Sequence, residues 1–142
     1  MRALLHVSFL LALFDSNHVG HTPARRWLEA NIQHGWASCA LTQNGFVRVV
    51  SQPRYPNRIT AAAAILRLSA ACTSGHHVFR PCDVSLVDPA HIEPTSVLGP
   101  NQVTNLYLLA LAVRHDDRLV TLDRRITIRA VPDATEQHLV IV

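Results

Sequence analysis

The chain has no lysine: all thirteen basic residues are arginine, set against ten Asp plus Glu. The resulting +3 with neutral histidine permits a polyanionic partner such as RNA, but so small a surplus does not demand one. Cysteine is scarce and unpatterned. Cys39, Cys72 and Cys82 are odd in number and form no C-x-x-C pair. That excludes a disulfide framework and a zinc ribbon, and predicts buried, inert thiols in a reducing compartment. No apolar run approaches the ~18 residues of a membrane span. The apolar start from Ala3 to Phe14 is broken by His6 and Ser8, and no small-x-small cleavage pattern precedes Asp15. A cytoplasmic protein without membrane association is expected. Repeats and low-complexity linkers are also missing.

What is there suits one folded unit. A length of 142 residues with 49% hydrophobic side chains predicts a single domain over 1–142 with an ordinary core. Ala3 to Val7 is a short apolar run without alternation, as in a strand covered on both faces, and it runs into helix-like Phe9 to Phe14. Thr22-Pro23 opens a second helix carrying Ala24, Trp27, Leu28 and Ile32, which ends near Gly35. Trp36 to Leu41 predicts another strand, and Thr42 a cap for the helix of Phe46, Val47, Val49 and Val50. After Pro53 and Pro56, Thr60 begins an alanine-rich helix that stops at Ser74-Gly75. From His76 to Gly99 only a short strand near Val78-Phe79 and one helical turn after Asp83 are expected. Gln102 to Arg114 predicts a helix apolar almost all round, then Leu119 to Leu122 and Leu139 to Val142 the last strands. Strands alternating with helices predict an α/β fold with a four- to five-stranded, mainly parallel sheet between helical layers.

In such sheets the ligand crevice lies beyond the carboxyl ends of the strands. His6, the Thr42-Gln43-Asn44 segment and Asp123 stand where strands stop, and Asn105 sits in the opening turn of the buried helix. Composition alone goes no further than a polar cleft.

A series of segments in order goes further. Leu4-Leu5-His6-Val7-Ser8, Trp36 to Cys39 with Leu41 to Val49, Ser51 to Pro56, Val103 to Ala112 and Leu119 to Arg125 together resemble the PIN-domain ribonucleases, most closely the VapC toxins of bacterial toxin–antitoxin pairs. The resemblance spans nearly the whole chain and implies a three-layer α/β/α fold. It also implies an acidic cluster at the sheet's carboxyl end holding Mg²⁺ or Mn²⁺ for RNA hydrolysis, a VapB-like antitoxin that plugs the cleft, and a homodimer. Leu10 to Phe14 and the helix after Thr60 are candidate dimer surfaces. The implied catalytic set is His6, Gln43, Asn105, Thr121 and Asp123, with His6, Asn105 and Asp123 toward the metal.

This sequence departs from the family pattern within that set. His6 stands where the family has aspartate, Ser8 where it usually has asparagine, Asn105 where an aspartate follows threonine, and Gln43 where glutamate is common. Asp123, with Thr121 two residues before it, retains the family chemistry. Imidazole and amides are poor partners for a hard cation, so Mg²⁺ binding is expected to be weak. His6 with Asp123 would suit Mn²⁺ or Zn²⁺ better, but two ligands are fewer than a catalytic zinc site supplies. Two readings stay open: a metal-dependent endoribonuclease toxin, or an inactive PIN protein or inactivated variant that retains antitoxin or RNA binding.

Other residues have plainer readings. His18 and His21 near Asp15 read as surface histidines, His76-His77 as an unsupported pair, and Asp116-Asp117 as a solvated turn. Trp27 and Trp36 read as core. Arg48, Arg54, Arg58 and Arg67 would line an RNA groove or simply be solvated, and Arg124 and Arg125 would touch phosphate or pair with acidic groups.

Overall fold

A computed structural model describes all residues, 1–142. Five strands form one sheet: β1 (Ala3–Leu5), β2 (Trp36–Cys39), β3 (His77–Arg80), β4 (Arg118–Thr121) and β5 (Leu139–Ile141). Their order across the sheet is β3-β2-β1-β4-β5, and every neighbouring pair is parallel. The helices are α1 (Val7–Phe14), α2 (His21–Asn31), α3 (Ala40–Val50), α4 (Ala61–Cys72) and α5 (Val103–Arg114).

Alternation along the short strands divides the core. Leu4, Ala37, Cys39 and Leu119 meet Leu108, Leu109, Leu111 and Ala112 of α5, with Ile92, Ile126 and Val131 from the loops. Ala3, Leu5, Trp36 and Val120 meet Phe9 and Leu10 of α1, Ala24 of α2, Phe46 and Val50 of α3, and Leu68 of α4. The result is three layers, α5 with its loops on one face and four helices on the other. Gly45 lets α3 press on α1, since a Cβ there would meet Val7 Cγ2 at 2.6 Å.

Helix starts show how local chemistry sets the frame. Thr60 Oγ1 accepts from Ala63 N at 3.1 Å and caps α4 as expected. Thr42 does not cap α3. The helix begins two residues earlier at Ala40, and Thr42 lies in its first turn, with its Oγ1 accepting from Cys39 N at 3.0 Å in a capping box. The helical turn expected after Asp83 does not form. Instead Asp83 meets His115 Nε2 at 2.9 Å, and the segment makes its helical turn later, at Pro94–Ser96, before the Pro100–Gln102 turn leads into α5.

Asp117 is not a solvated turn residue either. It is buried, and Arg80 on the edge strand β3 donates to both its oxygens, Nε at 2.8 Å and Nη2 at 2.9 Å. Asp116 alone takes the left-handed turn conformation, with φ 54°. Trp36 is in the core, and Trp27 meets Phe9 in a T-shaped pair under Arg118. The thiols are not uniformly hidden: Cys39 is buried, Cys72 half-buried and Cys82 exposed, because β3 ends at Arg80 and leaves Cys82 in the loop beyond. No helix is long and apolar enough to cross a membrane.

Candidate functional site

At the carboxyl ends of the two central strands, β1 delivers His6 and β4 delivers Thr121 and Asp123, while the first turn of α5 places Asn105 between them. His6 also caps α1. Its Nδ1 accepts from the backbone N–H of Ser8 at 3.2 Å. An atom that accepts carries no proton, so the ring is neutral with its hydrogen on Nε2. Nε2–H therefore donates to Asn105 Oδ1 at 2.7 Å. Asn105 Nδ2 in turn donates to Asp123 Oδ2 at 3.2 Å.

The chain of bonds extends backward with the same polarity. Thr121 Oγ1 accepts from Asp123 N at 3.0 Å, so its own hydrogen is free for Ser8 Oγ, 3.2 Å away. Ser8 Oγ also accepts from Leu122 N at 3.1 Å and spends its hydrogen on His6 Nδ1 at 2.8 Å. Every donor from Thr121 through Ser8, His6 and Asn105 thus points toward the carboxylate, the arrangement in which successive hydrogen bonds reinforce one another.

Asp123 is saturated. Oδ1 accepts from Arg125 N at 2.9 Å and Nε at 3.0 Å, while Oδ2 accepts from Arg125 Nη2 at 2.9 Å and from Asn105. Four donors fill the roughly four lone-pair positions of a carboxylate. Arg125 accordingly holds the Asp123 carboxyl down at about 2, against a smaller upward push from burial. Burial lowers the His6 pKa, more than the Asn105 bond and the Asp123 charge raise it.

Gln43 belongs to a different cluster. Its Nε2 donates to Ser38 Oγ at 2.9 Å, and Ser38 Oγ lies 2.8 Å from His77 Nε2, which is itself 3.5 Å from Cys72 Sγ. Its two ends, Gln43 and Cys72, line a cavity of about 620 Å³ between α3 and α4, together with Val47, Arg48, Ile65 and Leu68. The structure therefore brings His6, Asn105, Thr121 and Asp123 together and turns Gln43 away, because Ser38 on β2 offers its amide a buried partner. Sequence reasoning missed Ser38 as an organising residue. A buried polar side chain in the otherwise apolar β2 run was the available signal. It also missed the capping role of Ser8 with His6.

The arginines do not make one groove. Arg48 faces the α3–α4 cavity, Arg58 and Arg67 line a second cavity around Asp15, and Arg54 is exposed. His18 and His21 hold their own loop, on Gly20 N at 2.9 Å and Ala12 O at 2.8 Å, while Asp15 is tied to Tyr55 at 2.8 Å and Asn57 at 2.7 Å.

No family model matches the chain. Against curated proteins it is 55% identical over 139 residues to ribonuclease VapC44 of Mycobacterium tuberculosis, covering 98% of each chain. It is 44% identical over 122 residues to ribonuclease VapC38 of the same organism, covering 85% of this chain and 84% of the relative. A third relative there, ribonuclease VapC39, is 39% identical over 124 residues, covering 87% and 89%. The chain belongs to the VapC family of PIN-domain toxins. As this VapC chain stands, its residues do not suit the Mg²⁺ or Mn²⁺ that the family implies. No three His, Cys, Asp or Glu side chains cluster as a metal site. The donor atoms nearest to one are engaged: His6 Nδ1 and Nε2 by Ser8 and Asn105, and both Asp123 oxygens by Arg125 and Asn105.

Proposed function

We propose that this VapC chain, acting as a single PIN domain over residues 1–142, binds RNA at the His6–Asp123 cleft and is held by a VapB-like antitoxin, with Mg²⁺-dependent cleavage very slow or lost. The relatives' ribonuclease names support RNA as the ligand class. The observation that carries the loss of cleavage is the saturation of Asp123 by four donors. Metal-assisted hydrolysis needs a cation that lowers the pKa of water and offsets charge on the phosphate. Here one carboxylate is neutralised by Arg125, and hard cations find amide and imidazole where they favour anionic oxygen. His6 offers no substitute as a general base. Its accepting nitrogen is already bonded to Ser8.

The test is a time course of RNA cleavage with Mg²⁺ or with EDTA, run beside an RNA-binding titration and co-purification with the antitoxin. Binding without EDTA-sensitive cleavage is expected. Robust cleavage that EDTA abolishes would overturn the reading and make His6 a working ligand.

A further inference from the structure

We propose that Arg125 is the resident cation of this cleft: its guanidinium closes Asp123 to divalent metals and presents its remaining N–H edge to an RNA phosphate. The proposal rests on the RNA-binding reading above and adds the group that grips the backbone. Nε and one Nη2 hydrogen are committed side-on to the two Asp123 oxygens, at 3.0 and 2.9 Å. Of the five guanidinium hydrogens, the three on the outer edge are left over, one on Nη2 and two on Nη1. That edge is the fork that matches two oxygens of a phosphodiester. The Arg125 side chain is 67% exposed although it is anchored at its inner edge, so the fork is both fixed in direction and open to solvent.

The surroundings favour an anion. Asp123 supplies the cluster's only carboxylate, and Arg125 cancels it. Arg124 lies exposed next in sequence with no bonded partner. The N-terminus of α1 opens at His6 and that of α5 at Gln102, with Asn105 in its first turn, adding partial positive charge where the strands end. A family site with several carboxylates is negative and calls in a cation, whereas this one is neutral to positive and calls in a phosphate directly. An Mg²⁺ ion would have to displace a guanidinium hydrogen-bonded to both oxygens, with no second carboxylate to hold it.

The experiment uses the full chain with Arg125→Ala and Arg125→Lys, and two probes. The first is a short fluorescent single-stranded RNA in EDTA, followed by anisotropy over a range of salt. The second is Mn²⁺ alone, followed by the electron paramagnetic resonance of the free ion. Arg125→Ala is expected to weaken RNA binding by about tenfold and to reduce the slope of log affinity on log salt by about 0.7, the share of one phosphate contact on a single strand. Arg125→Lys keeps the slope but, lacking the fork, not the full affinity. Mn²⁺ is expected to bind Arg125→Ala at least about tenfold more tightly than the parent, because the carboxylate regains free lone pairs. Unchanged RNA affinity and slope in Arg125→Ala would overturn the phosphate grip. Equal Mn²⁺ binding by parent and variant would overturn the closure of Asp123. A parent that binds no RNA at all would overturn the RNA reading and the grip together, with the Mn²⁺ comparison still deciding the closure.

Discussion

Two strings of polar side chains lie at the carboxyl end of the same sheet, one around β1 and β4 and one around β2 and β3, and they end differently. The Thr121–Ser8–His6–Asn105 string, which links α1 to α5, runs into a carboxylate, and that carboxylate is clamped by an arginine. The Gln43–Ser38–His77–Cys72 string on the α3–α4 face runs into a half-buried thiol beside an open cavity. Both contain imidazole, hydroxyl and amide groups, yet only the first can organise charge. The terminus of a polar network decides its chemistry. Neutral links pass on polarity, but a site for ions needs an ionised group at the end.

The largest effect is expected when charge is put back into the first string. His6→Asp with Asn105→Asp replaces the imidazole and the amide that link Ser8 to Asp123 by two carboxylates, and the mutual repulsion of three clustered carboxylates is relieved by a cation. The double variant should gain Mg²⁺-dependent RNA cleavage by about a thousandfold or more, read as a time course with and without EDTA. Its melting temperature should rise with Mg²⁺, which the parent's should not. Adding Gln43→Glu should change little, because that side chain bonds Ser38 in the other string. A large further gain would show that α3 turns toward the cleft when RNA or metal is bound.

A smaller effect distinguishes the strings by their solvent access. Asn105→Leu leaves His6 Nε2–H without its buried partner and Asp123 Oδ2 with Arg125 alone, which costs about 2–3 kcal/mol. Gln43→Leu removes one bond at the edge of an open cavity, where water replaces the amide, and should cost under about 1 kcal/mol. Urea unfolding of the two variants gives the contrast. Equal losses would mean that the second string is as closed as the first.

The same contrast explains what could be read from the sequence. Apolar runs at β1, β2, β4 and β5 and the almost wholly apolar α5 carry a strong pattern, and these elements lie where the pattern puts them. Thr60 is legible as a cap because threonine before alanines has one good use. His6 is not, since a histidine that accepts from Ser8 N needs its tautomer, and the tautomer follows from tertiary partners. Asp117 looks solvated for the same reason: its partner Arg80 is 37 residues away on an edge strand. His6, Asn105, Thr121 and Asp123 could be placed together because strand ends and a helix start share one edge of a parallel sheet. Gln43 stands beside that edge in sequence, but its rotamer answers to Ser38. Arg125 left both a phosphate and an acidic partner open, and the structure pairs it with Asp123.

The last contrast is in acid, and its signs follow from the direction of each shift. Asp123 is held at about 2 by Arg125, below its ordinary 3.8, so its contribution is complete above about pH 4 and is lost as the pH falls toward 2. Two thirds of the Arg125 side chain is exposed, so solvent screening leaves only a small part of that contribution. His6 is a base whose folded pKa is also lowered, in this case by burial. The unfolded chain then takes up its proton first, and stability present above 6.5 declines as the pH falls below it. Protonation would also set a ring N–H against the Ser8 N–H it now accepts, undoing the cap of α1. His77 in the other string is shifted the same way by burial, so both strings lose stability in this upper window, whereas only the first string has the lower one. Asp15 and Asp83 are held low as well, so the readout is a difference between chains rather than a total. Urea unfolding at about pH 7, 5 and 3 should show Asp123→Asn less stable than the parent at the first two values and the gap narrowed by about half at the third. A gap that does not narrow in acid would mean that Asp123 acts through packing, and the first string would then end on a neutral group like the second.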